Sequence, residues 1–267
     1  MCVGPRGLKL TIQAQPATIF SQLLEQVVDA LVRHDTTDFQ LKRLEREATK
    51  LDNASHSEAL EIKAYLAAIR RNADESDRLY SAALRCTNDY AATVTRYLGM
   101  LATTLRHEKL LTVFRDTETA LDGNPEIMRI VEGLLAGAGL IISARKLALK
   151  LSKMGSYSAA ARVADSEFVT QKWNLDGCRD EDFGAPVAFA KRFLMSKNVA
   201  LKSYSLMVTV SDESDESVFF QMMVDQTPQD AVRTEMDLFD ALEKESFPLE
   251  LQGKIVFGLV GTRAVLR

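Results

Sequence analysis

From residue 18 to residue 154 the apolar positions of this chain recur every three or four residues, the period of helices that bury one face. Leu23, Val27 and Leu31, flanked by Leu24 and Val28, predict a helix over residues 18–33, with Thr18 as its cap behind Pro16. After the break at His34, Asp35, Thr36 and Thr37, a second amphipathic helix is carried by Phe39, Leu41, Leu44, Ala48 and Leu51, with Glu45, Arg46, Glu47 and Lys50 on its polar face. A third begins at Ser57 with Leu60, Ala64, Ala67 and Ala68. Beyond Asn72, Ala73 and Asp74 a fourth carries Leu79, Tyr80, Ala83 and Leu84, and these two predict a compact antiparallel pair. Ahead of all of them, Leu8, Leu10 and Ile12 alternate with Lys9, Thr11 and Gln13, which predicts a short strand or extended arm within residues 1–16.

The pattern changes after Gly155. Trp173 to Gly177, and on through Asp182-Phe183-Gly184, is polar and punctuated by glycine, so it reads as a connector. A helix is expected from Pro186 to Ser196. Two β-rich runs, Tyr204 to Val210 and Val218 to Val224, flank the acidic loop Asp212 to Glu216 and predict a hairpin. Thr227-Pro228-Gln229-Asp230 combines a capping hydroxyl, proline in the first turn and an acidic residue at the positive end of the helix dipole. The helix it opens runs to about Glu245 with Val232, Met236, Phe239 and Leu242 on one face, and Ile255 to Val260 forms a last strand. The predicted fold class is α+β, with a helical repeat-like domain over 17–165 followed by a small domain over 166–267 that holds a three- or four-stranded sheet. A chain of 267 residues supports two cores more readily than one.

Within the third and fourth helices, Ala64, Ser76 and Ala83 stand where a tetratricopeptide hairpin brings its helices close, and Tyr80 takes the aromatic site between them. Residues 57–154 resemble that family, although its tryptophan is absent. The next hairpin aligns with Gly99 as the close-approach residue, Ala120-Leu121 in its second helix and Pro125 at the repeat end, if two residues are inserted. A third unit, Ile127 to Met154, keeps small residues at Gly133, Gly137, Gly139 and Ala144. The resemblance implies a groove lined by the first helix of each pair, with Glu61, Tyr65, Arg96, Met100 and Thr103 facing a bound peptide; Tyr65 and Met100 fit the core equally well.

Charge and composition narrow the functions. A net charge of −4 argues against a general binder of polyanions. The acidity belongs to the second half, since residues 1–156 hold 21 Lys and Arg against 19 Asp and Glu of the chain's 33 and 37. Cys2, Cys86 and Cys178 have neither disulfide nor zinc-ligand spacing, which fits a reducing, cytoplasmic setting. The longest apolar run, Gly133 to Ile142, is about half of the roughly 20 residues that span a bilayer, so no membrane insertion is expected.

Candidate chemistry is sparse. His34-Asp35 lacks the further histidines of a metal-dependent phosphohydrolase, and His56 and His107 lie at helix junctions. Asp182-Phe183-Gly184 lacks every other part of a kinase and reads as a turn. Asp212, Glu213, Asp215 and Glu216 lack the glycine and terminal Glu of a calcium loop. Gly137 and Gly139 lie in an apolar helical segment and read as packing glycines. Lys146, Lys150 and Lys153 align on one helix face beside Arg145, a face able to meet phosphates or an acidic partner. No cofactor is implied. The expected function is a non-catalytic adaptor that presents a helical groove to a protein or peptide, and a homo-oligomer fits the same reading. The alternatives are a nucleic-acid-associated regulator using Arg145, Lys146, Lys150 and Lys153, and a carboxylate-dependent enzyme in the second domain.

Overall fold

A computed structural model describes residues 18–33, 36–155, 179–210, 216–245, 247 and 255–263. The expected N-terminal strand, His34-Asp35 and the acidic residues Asp212, Glu213 and Asp215 lie outside the described residues. Eight helices come first: α1 (Ile19–Arg33), α2 (Asp38–Asp52), α3 (His56–Ile69), α4 (Ala73–Cys86), α5 (Tyr90–Thr103), α6 (His107–Leu121), α7 (Pro125–Gly137) and α8 (Ile141–Lys153). There follow α9 (Asp180–Ser196), β1 (Leu201–Val210), β2 (Glu216–Val224), α10 (Pro228–Leu242) and β3 (Ile255–Gly261). The fold is α+β. Among the described residues no helix is long and apolar enough to cross a membrane.

Local chemistry sets the helix starts. Thr37 and Gln40 form a capping box for α2, in which the Gln40 amide donates to Thr37 Oγ1 at 3.3 Å and the Thr37 amide to Gln40 Oε1 at 2.8 Å. Asn72, Asp89 and Asn124 cap α4, α5 and α7 through their side chains, and Pro125 occupies the first turn of α7. Successive helices pair as α3/α4, α5/α6 and α7/α8, compatible with a helical repeat, while α1 and α2 each pack more on α3 than on one another. Three of the turns within pairs repeat one backbone device. Arg71, Leu105 and Gly139 each take a positive φ just past a helix end, and these positions are 34 residues apart. After each, the next amide reaches back to a carbonyl in the preceding helix: Asn72 to Ala67, Arg106 to Leu101 and Leu140 to Leu135. No insertion interrupts this spacing. Leu98, fully buried, therefore stands where Ala64 stands in the previous pair, and Gly99, which the sequence pattern made the close-approach residue, has only an ordinary distance of 3.9 Å from its missing Cβ to Leu134.

One hydrophobic cluster runs through the eight helices from Phe20 to Leu151. Tyr80, fully buried, stacks on Tyr97 of α5 at 4.4 Å between centroids and meets the edge of Tyr65 of α3 at 6.0 Å, so the aromatic site joins successive pairs. A second cluster joins α9 (Val187, Ala190, Leu194) to the sheet (Phe220, Met222, Val224, Phe257, Leu259) and α10 (Ala231, Leu238). The sheet order is β1-β2-β3, with β1 antiparallel and β3 parallel to β2.

Two local expectations differ. Asp182-Phe183-Gly184 is not a turn but the first turns of α9, which starts six residues before Pro186 and carries that proline inside it. On α10, the face that packs inward is Ala231, Thr234 and Leu238, while Val232 and Met236 are 57% and 64% exposed. Small residues on the inward face bring α10 close to the edge strand β3. There the Glu235 carboxylate accepts the Leu259 amide at 2.6 Å and covers an unpaired ladder position.

Candidate functional site

The junction between the eight helices and the sheet is built from α8, α9, β1 and the glycines of the α7–α8 turn. Leu140, the N-cap position of α8, offers no side-chain acceptor, and the need is met from 38 residues away. Buried Asp180 accepts the amides of Ile142 at 2.9 Å and Ser143 at 3.2 Å and the Ser143 hydroxyl at 2.7 Å. A carboxylate at this place satisfies orphan amides and meets the positive end of the α8 dipole. Gly137 and Gly139 serve this junction rather than packing inside a hairpin. A Cβ on Gly137 would run into the Tyr204 ring of β1, and one on Gly139 would lie 2.9 Å from Val187 and 3.0 Å from the Phe183 carbonyl of α9.

Docked in this way, α9 and β1 wall off a crevice of about 920 Å³ against the ends of α1, α3 and α5 and one face of α7. Apolar walls come from Val32, Leu105, Ile130, Leu134, Leu194 and Met195. Among the described residues its charged lining is all cations, Arg33, Arg71, Lys191 and Lys202, with no Asp or Glu. The helix ends explain the sign. Arg71, Leu105 and Asn198 are the positive-φ residues that close α3, α5 and α9, so the C-terminal ends of three helices, each carrying partial negative charge, point towards the crevice. Arg33 and Lys202 also have carboxylate partners nearby, Asp29 at 3.0 Å and Asp225 at 3.6 Å. Arg71 and Lys191 form no ion pair among the described residues. A second hollow of about 590 Å³ beside α2, α3 and α4 differs in this respect, because Lys63, Arg70 and Arg78 on its lining are paired with Asp52, Glu45 and Glu75.

Lys191 is the deepest of the crevice cations. Its Nζ donates to the Gly137 carbonyl at 2.7 Å and lies 5.8 Å from the centroid of the Tyr204 ring, whose hydroxyl donates to the Gly133 carbonyl. Burial lowers the Lys191 amine to about 8, with no carboxylate among the described residues to offset it. His107, at the start of α6, is lowered to about 4, first by burial and then by the charges of Lys191 and Arg192. Its Nε2 is buried without a hydrogen-bond partner among the described residues.

The groove residues read from the sequence are brought together, but against one another. Glu61 is 1% exposed and takes two hydrogen bonds from the Arg96 guanidinium, at 2.6 and 2.9 Å, and one from the Thr93 hydroxyl at 3.2 Å. Buried Tyr65 donates to the Arg96 carbonyl at 3.1 Å, and burial raises its hydroxyl to about 12. Met100 is fully buried and accepts the Ser76 hydroxyl. These contacts join α3 and α4 to α5, which leaves Glu61, Tyr65 and Met100 buried. Arg96 keeps about a quarter of its side chain exposed. Thr103 alone of the five lines the crevice.

The basic helix is α8. Lys146 and Lys150 both reach Glu118 of α6, at 2.9 and 2.7 Å, and Lys150 also reaches Asp122 at 3.2 Å. For Lys146 and Lys150 the acidic partners among the described residues lie in the preceding hairpin. Arg145 is half-buried with its Nε lacking a hydrogen-bond partner, and Lys153 is exposed with no ion pair among the described residues.

Compared with protein-family models, with curated proteins and with solved structures, the chain finds no match. The residues that the sequence reading missed are Arg33, Arg71, Lys191, Lys202 and Tyr204. The one local signal was Arg70-Arg71-Asn72, a helix end followed by a capping residue. Nothing near Lys191 or Tyr204 in the sequence distinguishes them from surface residues.

Proposed function

We propose that this chain is a non-catalytic adaptor that holds an acidic, partly apolar segment of another protein in the crevice between the helical array and the sheet unit. One observation carries the reading: a cavity of about 920 Å³ whose charged lining is cationic throughout the described residues, set among apolar side chains. Apolar walls supply contact area, and unlike charge supplies orientation and rejects basic segments. The 34-residue recurrence of the hairpin turns adds support, because it is the unit length of tetratricopeptide arrays, which bind peptide segments. In this reading the helical domain and the sheet domain each contribute one wall, so the groove lies at the edge of the array rather than across the faces of α3 and α5. The nucleic-acid reading is weaker because the chain's net charge is −4; Lys146 and Lys150 pair with Glu118 and Asp122, much as Arg33 and Lys202 of the crevice pair with Asp29 and Asp225.

Position-specific crosslinking tests the proposal. A photoreactive side chain at Ile130 or Met195, both partly exposed on the crevice, should trap a partner whose crosslinked segment is rich in Asp or Glu. The same group at exposed Val232 on α10 is the control. Equal trapping at all three positions, or a trapped segment rich in Lys and Arg, refutes the reading.

A further inference from the structure

We infer that Lys191 is the anchor of the crevice and that it pairs there with a carboxylate of the incoming segment. The inference rests on the crevice being a binding site and adds the group that is recognised. A cation taken out of water is retained when it is paired, and a desolvated ammonium with no anion beside it costs stability until one arrives. Lys191 is half-buried and stands close to that condition, its ammonium held by a neutral carbonyl on the crevice lining. Among the described residues its hydrogen-bond acceptor is the neutral Gly137 carbonyl and it forms no ion pair, and His107 from α6, Arg192 on its own helix and the Tyr204 phenol from β1 lie nearby. None of these carries negative charge near neutral pH. The ammonium also lines the open cavity, so an anion can reach it from solvent. Arg71, on the same lining and without an ion pair among the described residues, is placed to attract that anion before it is seated.

A purely structural role competes with this one, since a lysine on the last carbonyl of α7 also complements a helix C-terminus. Removing the charge separates the two roles. A cap loses stability in Lys191→Met, whereas an unpaired buried cation replaced by an apolar side chain of similar length leaves the melting temperature unchanged or higher and abolishes carboxylate binding.

The full chain carrying ¹³Cε-labelled lysine, with the Lys191 resonance assigned by its loss in Lys191→Met, permits a direct titration. Four probes separate the possible sources of the anion: butyrate, an acetylated Leu-Asp-Leu amide, an acetylated Leu-Ala-Leu free acid and an acetylated Leu-Ala-Leu amide. The resonance should shift with at least one of the first three and not with the uncharged amide, and the titration midpoint of the amine should rise from about 8 when the carboxylate is bound. A shift with butyrate indicates that a free small carboxylate suffices, and one confined to either charged peptide identifies a side-chain or terminal carboxylate. No shift with any of the three, or the same shift with the amide, overturns the anchor. Crosslinking from Ile130 and Met195 that persists unchanged in Lys191→Met would leave the crevice as a docking site while removing Lys191 from its recognition.

Discussion

Asp180 Oδ2 accepts the hydroxyl of Ser143 at 2.7 Å across 37 positions of sequence, and with it α9 supplies the N-terminal cap that α8 lacks. The same carboxylate, 4% exposed, also holds the two nearest amides. Both secondary structure and the docking of the sheet unit therefore depend on one side chain. Asp180→Ala should destabilise the chain by roughly 2–4 kcal/mol, the range of a lost helix cap plus buried hydrogen bonds to a charged acceptor. Urea unfolding measures the loss. Hydrogen exchange should localise it, with the amides of Ile142 and Ser143 exchanging faster than those of α4. Uniform acceleration across all helices would show that the contact is not specific to the junction.

Gly139 and Gly123 both take a positive φ, +79° and +91°, but only Gly139 is crowded. A Cβ on Gly139 meets Val187, the Phe183 carbonyl and Gly184 within 3.1 Å, and one on Gly123 meets nothing within 4 Å. Gly123→Ala should cost about 1 kcal/mol from backbone conformation alone. Gly139→Ala should cost that and roughly 1–3 kcal/mol more for the clash with α9. Equal losses in thermal unfolding would mean that α9 does not pack on this turn.

The helical part of the fold was legible because its signals are local. Apolar period, capping residues such as Thr18 and Thr227, and the hairpin-helix-strand order near the C-terminus each arise from residues a few positions apart. The start of α9 was not legible, since Asp182-Phe183-Gly184-Ala185-Pro186 has the composition of a turn. Its helical state is supported by contacts that no local pattern records: Asp180 on α8, and Gly184 allowing Leu140 and the Ala138 carbonyl close. The site was hidden for the same reason. Arg33, Arg71, Lys191 and Lys202 belong to four separate segments, and only the tertiary fold puts them on one lining. Glu61 and Arg96, read from the sequence as groove residues, face each other at a helix interface, an arrangement that the sequence pattern does not distinguish from facing a ligand.

Glu61 and Arg96 should not be equally important to stability. Glu61 is 1% exposed, whereas Arg96 keeps 25% of its side chain in solvent and also lies 5.1 Å from the Phe20 ring centroid. Truncating Arg96 to Ala strands a buried carboxylate, which costs about 3–5 kcal/mol. Glu61→Gln keeps an acceptor for the guanidinium, removes the buried negative charge, and leaves a cation that water still reaches, so the loss should stay near 1–2 kcal/mol, roughly that of a weakened hydrogen bond. Chemical denaturation of both variants and of the double variant Glu61→Gln, Arg96→Ala yields the coupling between them. A loss in Glu61→Gln as large as that in Arg96→Ala would contradict the burial asymmetry.

The acid side of the stability profile should carry a contribution from His107. In the fold its imidazole takes up a proton only near pH 4, because burial and the neighbouring charges of Lys191 and Arg192 oppose it, while in the unfolded chain the ordinary value is 6.5. Between these values the unfolded state binds more protons, so stability falls as pH drops from about 6.5 towards 4 and is not lost further by this group below both. The full effect is at most about 3 kcal/mol, and it is reduced to the extent that water reaches the ring. His107→Gln removes this titration, so the difference in unfolding free energy between variant and parent should change with pH across that window and stay level from about pH 7 to 8. The Lys191 amine, charged throughout that window, is not its source. A difference that is flat from about pH 4 to 7 would place His107 in water rather than at the buried foot of α6.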